Sequence, residues 1–290
     1  MHPKILVLGS SGMAGHMIAQ YLREAGSYEV VDAGPRRKVF VGTTCVDLEN
    51  PVRLEELFDA VIPNVLVNCT GVLVQASEVK KKEAVWINSY LPHLLLGLCQ
   101  ARDIRLIHLS TDCVFSGKTG PYREDSPKDG QLFYDRSKAL GEIEGGNAIT
   151  IRTSIIGPEL RSAGSGFFSW VCRQEGSARG YRKALWSGVT TLELAKFVEL
   201  VVSKNRELSG LLHYSVDGGI SKFDLLRGIN QVFGLGLRID PVDEPILDKR
   251  LICTREDLGM YPTGYRVQLL ELKAWMSNHK ELYQAGLERT

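Results

Sequence analysis

The sequence lacks the cysteine and histidine spacings that build disulfide frameworks and metal centres. Its six cysteines include no C-x-x-C pair, and most of them fall in apolar segments. They therefore predict buried thiols in a reducing compartment. Its six histidines are scattered, and no two of them lie four residues apart. We expect no metal site.

Charge of one sign and long apolar runs are also missing. The 290 residues carry a formal net charge of +1, which gives no support for a nucleic-acid or membrane-surface partner. No apolar run is long enough to cross a bilayer. The chain enters a strand-like segment at Lys4 without a signal-peptide pattern, so we expect a cytoplasmic protein. The oligomeric state is left open, with a homodimer as one option.

The first half of the chain does contain a regular alternation of short apolar runs and helical patterns. Short runs rich in Val, Ile and Leu are typical of parallel strands buried on both faces. The predicted strands are Lys4–Leu8, Tyr28–Asp32, Val65–Cys69, Arg105–Leu109 and Ala148–Arg152. The predicted helices between them are Ala14–Ala25, Val52–Ala60, Ser89–Arg102 and Tyr134–Glu144. This order predicts an α/β fold with a doubly wound parallel sheet, a Rossmann fold.

The alternation weakens after Arg152, where helices are predicted around residues 167–174, 191–203, 221–233 and 269–277. We predict a dinucleotide-binding domain over residues 1–155, to which residues 186–205 return. Residues 156–185 and 206–290 are predicted to form a smaller C-terminal α+β substrate-binding domain.

A glycine loop follows the first predicted strand and opens the first predicted helix. Gly9 permits a tight turn, Gly12 lets the backbone approach a pyrophosphate, and Gly15 lets helix and strand pack closely. The helix N-terminus then faces the negative charge of the ligand. The G-x-x-G-x-x-G spacing in this context indicates a dinucleotide site.

The turn after the second strand bears on which dinucleotide binds. Asp32 lies inside the predicted strand, whereas Arg36 and Arg37 follow it and suit a 2′-phosphate. We therefore predict NADP(H), with NAD(H) as the alternative. Asp47 suits either an adenine contact or a helix cap before Pro51. The expected cofactor-binding residues are Gly9, Ser11, Gly12, Met13, Gly15, Arg36, Arg37, Asp47, Leu48, Cys69, Thr70, Gly71 and Asn88.

A phenol and an ammonium group lie four residues apart in Tyr134-Asp-Arg-Ser-Lys138, on one face of a predicted helix. A fixed positive charge beside a phenol favours the phenolate and brings its proton closer to use at neutral pH. Thr111 closes an apolar run, so its hydroxyl is expected at the carboxyl edge of the sheet, where ligands bind. These groups suit proton delivery to a carbonyl oxygen.

The order of these motifs resembles the extended short-chain dehydrogenase/reductases. Within them it is most similar to the dTDP-4-dehydrorhamnose reductase group of sugar-nucleotide 4-ketoreductases. The resemblance implies that Thr111, Tyr134 and Lys138 are catalytic and that Asn88 lies near the cofactor or the catalytic centre. It also implies NADPH-dependent reduction of a nucleotide-linked 4-keto-6-deoxy-hexose for surface polysaccharide synthesis. The motifs that carry it are Gly9–Gly15, Asn68–Gly71, Ser110–Phe115, Tyr134–Lys138 and Ile151–Ser154.

Two positions depart from the family pattern. Cys113 stands where the family usually has Tyr, and Asp135 stands where it usually has Gly. Related dehydratases have a glutamate at the position of Cys113 to abstract a sugar proton, which a cysteine cannot easily do. This favours plain carbonyl reduction. A sugar-nucleotide epimerase remains an alternative, although it needs a tightly held NAD, which the Arg36-Arg37 turn disfavours.

The residues that bind the substrate are harder to predict. A nucleotide diphosphate-sugar needs cations for its pyrophosphate and an apolar wall for its base. We expect substrate contacts from Ser110, Cys113, Arg182 and Arg250, the last because Asp248-Lys-Arg-Leu251 resembles a segment at the sugar-nucleotide site in relatives. The base and the substituent at sugar position 2, hydroxyl or acetamido, stay open.

A non-catalytic protein is the other alternative. The regulatory subunit of methionine adenosyltransferase has this fold, binds NADP and resembles this chain. It retains Tyr-x-x-x-Lys, so that motif does not separate a binding protein from an enzyme.

Overall fold

A seven-stranded parallel sheet runs through the centre of the molecule, in the order β11-β6-β5-β4-β1-β2-β3. This computed structural model describes residues 2–35, 39–160, 164, 166–203 and 208–287, so Arg36 and Arg37 lie outside the described residues. The strands of the large sheet are β1 Lys4–Leu8, β2 Glu29–Gly34, β3 Thr44–Cys45, β4 Val65–Asn68, β5 Arg105–Thr111, β6 Ala148–Thr153 and β11 Gly210–His213.

Helices cover both faces of this sheet. They are α1 Met13–Glu24, α2 Pro51–Val61, α3 Val74–Val79, α4 Lys81–Ala84, α5 Leu91–Gln100, α6 Phe133–Leu140, α7 Phe167–Cys172, α8 Thr191–Ser203, α9 Lys222–Phe233, α10 Tyr265–Asn278 and α11 Lys280–Leu287. A π-helix, Val85–Tyr90, precedes α5, and a 3₁₀ turn, Asp112–Val114, follows β5.

The strand β1 shows why the sheet is covered twice. Ile5 and Val7 pack into one apolar core with α1 and α8, whereas Leu6 and Leu8 pack into a second core with α2 and α5. Alternate side chains of a strand point to opposite faces, so a continuous apolar run supplies both cores. The predicted doubly wound Rossmann fold is confirmed.

Short strands from the second half of the chain form small sheets that are separate from the large one. They are β7 Ile155–Ile156, β8 Ser177–Tyr181, β9 Ala184–Trp186, β10 Val189–Thr190, β12 Ile220–Ser221, β13 Arg238–Val242 and β14 Leu247–Asp248. A three-stranded sheet has the order β12-β9-β14, and β13 pairs with β8.

One strand differs from the predicted division into domains. The prediction assigned residues 206–290 to the second domain, but β11 pairs with β6 as the edge strand of the large sheet. Its residues include Leu212 and His213, which are fully buried against that sheet. The rest of the division stays a prediction.

Helix α6, which contains Tyr134 and Lys138, is shorter than predicted. The prediction extended it to Glu144, but it ends at Leu140. Gly141 follows, and a methyl group there would lie only 1.9 Å from the carbonyl oxygen of Asn88. The close approach of the π-helix therefore requires glycine and ends α6 at this point. No helix in the described ranges is long and apolar enough to cross a membrane.

Candidate functional site

The loop between β1 and α1 provides a cradle for an anion. Gly9 has a φ of +87°, and its N–H donates to the carbonyl oxygen of Ala33 at 2.8 Å. A methyl group at Gly15 would lie 2.2 Å from the Gly9 oxygen, so only glycine allows α1 to start here. Gly12 begins α1 without a side-chain cap, and the hydroxyl of Ser10 is buried without a hydrogen-bond partner in the described part of the chain. Free backbone N–H groups at a helix start fit the pyrophosphate of a dinucleotide.

One oxygen of the Asp32 carboxylate is bound by an arginine, and the other is buried without a hydrogen-bond partner among the described residues. Asp32 lies inside β2 and is 1% exposed, and it accepts a hydrogen bond from the guanidinium of Arg23 on α1. The strand runs on to Gly34, so the turn that would meet the ribose begins after it.

Asp47 and Leu48, both predicted to bind the cofactor, lie in the segment just before α2. Asp47 is exposed, and its carboxylate accepts from the backbone N–H of Glu49 at 2.9 Å. Asn50, not Asp47, caps α2. Leu48 is buried, and its carbonyl accepts from the indole of Trp86 at 2.8 Å.

The segment after β4 lies directly against the glycine loop. A methyl group at Gly9 would come within 2.9 Å of the carbonyl carbon of Cys69. The hydroxyl of Thr70 donates to the side chain of Asn68 at 2.6 Å, which fixes the turn. The structure thus brings Cys69 and Thr70 to the predicted cofactor site.

Asn88 connects this turn to α6, the helix of Tyr134 and Lys138. Its side chain accepts from the N–H of Val72 at 2.8 Å, donates to the Val72 carbonyl at 3.0 Å, and donates to the hydroxyl of Ser137 at 3.0 Å. Both polar atoms of its amide are therefore engaged with protein groups. The observed contacts of Asn88 position α6, and its predicted place near the cofactor or the catalytic centre stays a prediction.

Tyr134 and Thr111 meet at the carboxyl edge of the large sheet. Thr111 is the last residue of β5, and its hydroxyl forms a hydrogen bond with the phenol of Tyr134. Tyr134 is only 9% exposed, and burial raises the pKa of its phenol above the ordinary value despite the hydrogen bond from Thr111. The phenol is therefore protonated at neutral pH.

Lys138 lies on the same helix but does not lower the pKa of Tyr134 in the way that the spacing predicted. Its Nζ donates to the carbonyl oxygen of Leu109 in β5 at 2.8 Å. Burial lowers the pKa of Lys138 to about 8, against the charge of Glu142, which raises it. Burial decides the protonation of both side chains, because each is almost fully removed from water.

Ser110 and Cys113 differ in their access to the site. Strand alternation turns Ser110 away from Thr111, and its hydroxyl donates to Glu142 at 2.6 Å inside a buried Glu142–Arg152 ion pair. The hydroxyl that was predicted to contact the substrate is therefore engaged with Glu142. Cys113 follows Thr111 in the 3₁₀ turn and is partly buried. Burial raises the pKa of its thiol to about 12.

The two arginines predicted for the substrate are held by carboxylates. Arg182 is exposed and pairs with Asp243 at 2.7 Å. Arg250 pairs with Asp248 at 2.7 Å and donates to the carbonyl of Gly218 at 3.2 Å. Neither reaches Tyr134 or Thr111 by any contact among the described residues.

Two lysines that the sequence prediction missed lie near Asp112, the residue that follows Thr111. Lys222 begins α9, and Lys249 follows β14. The charges of both act on Asp112, whose pKa is raised by burial and lowered by each lysine. Lys249 lies in the segment Asp248–Leu251, which the sequence prediction singled out, but the neighbouring Arg250 was chosen. Lys222 was not among the predicted site residues.

Residues 3–247 match the family described as RmlD substrate binding domain. The chain belongs to this family. It is 27% identical over 289 residues to the spore coat polysaccharide biosynthesis protein SpsK of Bacillus subtilis, covering 92% of this chain and 96% of that protein. It is 32% identical over 142 residues to a dTDP-4-dehydrorhamnose reductase of Streptomyces griseus, covering 48% of this chain and 44% of that protein.

Solved structures show the same fold as this RmlD-family chain. The dTDP-4-dehydrorhamnose reductase of Bacillus anthracis in complex with NADP has a TM-score of 0.79 at 17% identity, covering 95% of this chain and 100% of that one. WbmG of Bordetella bronchiseptica in complex with NAD and UDP has a TM-score of 0.76 at 16% identity, covering 96% of each chain. The predicted family resemblance is confirmed, and these neighbours contain the two dinucleotides that the sequence predicted as alternatives.

Proposed function

We propose that this protein is an NADPH-dependent reductase of the 4-keto group of a nucleotide-linked 4-keto-6-deoxy-hexose, whose product enters surface polysaccharide synthesis. The observation that carries the proposal is the protonated phenol of Tyr134 at the hydroxyl of Thr111, on the sheet edge that also holds the glycine loop. The names of the relatives, which are reductases and a polysaccharide biosynthesis protein, support the same reaction class.

The glycine loop fits a dinucleotide. Gly9, Gly12 and the first turn of α1 would hold its pyrophosphate, and the turn at Cys69 and Thr70 would flank it. When bound, NADPH supplies the hydride that reduces the keto carbon. An ammonium group has three N–H donors, and Lys138 uses one on Leu109, so two remain for ribose hydroxyls.

Tyr134 is suited to protonate the oxygen of the reduced carbonyl. Because burial raises its pKa, its Oη carries a proton at neutral pH, and that proton can pass to the oxygen as negative charge develops there. The hydroxyl of Thr111 lies beside the phenol and donates to the carboxyl of Asp112 at 3.3 Å, and its proton can instead be directed at the same substrate oxygen. Asn88 keeps α6, and with it Tyr134, in position through Ser137.

Cys113 argues against dehydration of the sugar. A dehydratase needs a base beside the tyrosine, and a thiol with a pKa of about 12 is protonated at neutral pH. We therefore propose a simple reduction without loss of water.

The test is NADPH consumption followed by near-ultraviolet absorbance with two substrates, dTDP-4-keto-6-deoxyglucose and UDP-2-acetamido-4-keto-2,6-dideoxyhexose. We expect turnover with one of them, faster with NADPH than with NADH, and mass spectrometry should find a product two hydrogens heavier. Binding of NADPH without turnover in either series would contradict the reductase and favour the non-catalytic alternative. An isomerised sugar formed without net oxidation of NADPH would favour the epimerase.

A further inference from the structure

Two lysines approach the catalytic end from the small sheet in the second half of the chain. Strands β12 and β14 flank β9 on either side. Lys222 comes directly after β12 and Lys249 directly after β14, so both lie along this one sheet. The charges of both interact with Asp112 and Cys113, which follow the catalytic Thr111.

Neither ammonium group has an oxygen partner among the residues that the structure describes. The Nζ of Lys222 lies 4.4 Å from the ring centre of Trp186 and 4.7 Å from that of Phe167. The side chain of Lys249 runs over Gly117, where an added methyl group would meet its Cγ at 3.0 Å. Each ammonium group carries three N–H donors, so the pair can bind several oxygen acceptors of a ligand.

The charge around the pair favours a neutral ligand. Asp112 and Asp135, each 4% exposed, are the carboxyl groups that act on Lys249, and Asp112 also acts on Lys222. The number of carboxyl groups near the two lysines therefore equals the number of ammonium groups. An uncharged ring with oxygen substituents matches this balance, whereas a sugar carboxylate would add an unmatched negative charge.

We infer that Lys222 and Lys249 are specificity-determining residues that donate hydrogen bonds to the oxygen substituents of an uncharged hexose, beside the carbonyl that Tyr134 and Thr111 address. This inference rests on the proposed function for the position of the ring. It assigns sugar recognition to these lysines, and it separates that role from binding of the diphosphate.

Isothermal titration of the NADP-loaded protein tests this assignment without turnover. The probes are dTDP against dTDP-glucose and UDP against UDP-N-acetylglucosamine, so that each pair isolates the contribution of the hexose. In the unaltered protein we expect the hexose to strengthen binding in at least one pair. Lys222→Met and Lys249→Met should each reduce the affinity for that nucleotide-sugar about tenfold, while the affinity for the free nucleotide stays within about twofold.

Three results would overturn the inference. They are no gain from the hexose in the unaltered protein, variants that bind the nucleotide-sugar as well as the unaltered protein, and variants that lose affinity for the free nucleotide equally. The last result would place the lysines on the diphosphate. Lys273→Met, on an exposed lysine of α10 that donates to Val232, is the control and should bind every probe normally.

Further controls keep this test independent of folding and of the reaction. Lys249→Arg should restore most of the affinity because it keeps the donors. Unchanged NADPH binding verifies that a variant is folded. Failure of the keto-sugar assay would contradict the proposed reduction alone, since these titrations use stable sugars.

Discussion

The Nζ atom of Lys138 donates a hydrogen bond to the carbonyl oxygen of Leu109 at 2.8 Å, which attaches α6 to β5. The same burial that lowers the pKa of Lys138 to about 8 makes its charge costly to the fold. A function that needs the ammonium group would explain why it is kept.

Lys138→Met should therefore separate stability from activity. We expect the melting temperature at pH 7 to stay equal or rise, because a buried charge is replaced by an apolar chain of similar length. NADPH affinity should fall about tenfold and turnover should fall by more than that. Thermal denaturation measures the melting temperature, and NADPH titration measures the affinity. A variant with normal NADPH affinity would refute a cofactor role for Lys138.

Tyr134→Phe should abolish proton delivery with little effect on binding. We expect turnover to fall by about 10²–10⁴-fold, since phenylalanine has no hydroxyl proton to transfer to the substrate oxygen. The NADPH dissociation constant should stay within about twofold, because the phenol lies beside Thr111 and not in the glycine loop. Stopped-flow measurement of keto-sugar reduction gives the turnover, and fluorescence titration with NADPH gives the dissociation constant. Full activity of this variant would rule out the proposed mechanism.

Gly15→Ala should damage the dinucleotide cradle. The added methyl group would lie 2.2 Å from a backbone oxygen that cannot move independently, so α1 must shift away from β1. We expect a loss of about 1–3 kcal/mol in the free energy of unfolding and a clear weakening of NADPH binding. Gly97→Ala is the matched control, since no atom lies within 4 Å of its added methyl group inside α5. That change should stabilise the protein by up to about 1 kcal/mol.

Asp32→Asn tests whether this carboxylate takes part in choosing the cofactor. Its partner is Arg23, and the pair joins β2 to α1. We expect a loss of about 1–3 kcal/mol in urea unfolding and an unchanged ratio of NADPH to NADH affinity. A tenfold shift of that ratio towards NADPH would mean that Asp32 reaches the ribose after all.

Acid should destabilise the fold through His16, which is buried between the carbonyl of Gly12 and the hydroxyl of Tyr283. Burial lowers its pKa from 6.5 to about 4, although Gly12 and the charge of Glu159 oppose this. Between these two values the unfolded chain binds more protons than the folded one, so stability falls as pH falls through this window. The loss from this group is roughly 3 kcal/mol.

His16→Gln should flatten the pH dependence of unfolding in that window. Denaturant titrations at intervals from pH 7 to about pH 4 measure the slope. His2→Gln, at an exposed position, is the control and should leave the slope as it is. An unchanged slope in the His16 variant would contradict the assignment.

Local patterns predicted the sheet well because buried parallel strands are continuous apolar runs. The prediction for β1 matches the observed strand, and α8 matches the predicted helix at residues 191–203. The ends of β2 and β5 were each placed two residues too early. Polar or small residues close both strands, and only pairing with the neighbouring strand extends them to Gly34 and Thr111. The π-helix could not be predicted, because its apolar residues fit an α-helix equally well.

The sequence by itself determined the features that depend on residues close together in the chain. The glycine loop needs three positions without a Cβ. Tyr134 and Lys138 share a helical face because they are four residues apart on α6. Tertiary structure alone decided which side chains are free for a ligand. Arg250 is bound by Asp248, whereas Lys249 beside it turns towards Asp112. Such choices depend on burial and on contacts with residues distant in the chain, such as Asp112 for Lys249, which no local pattern contains.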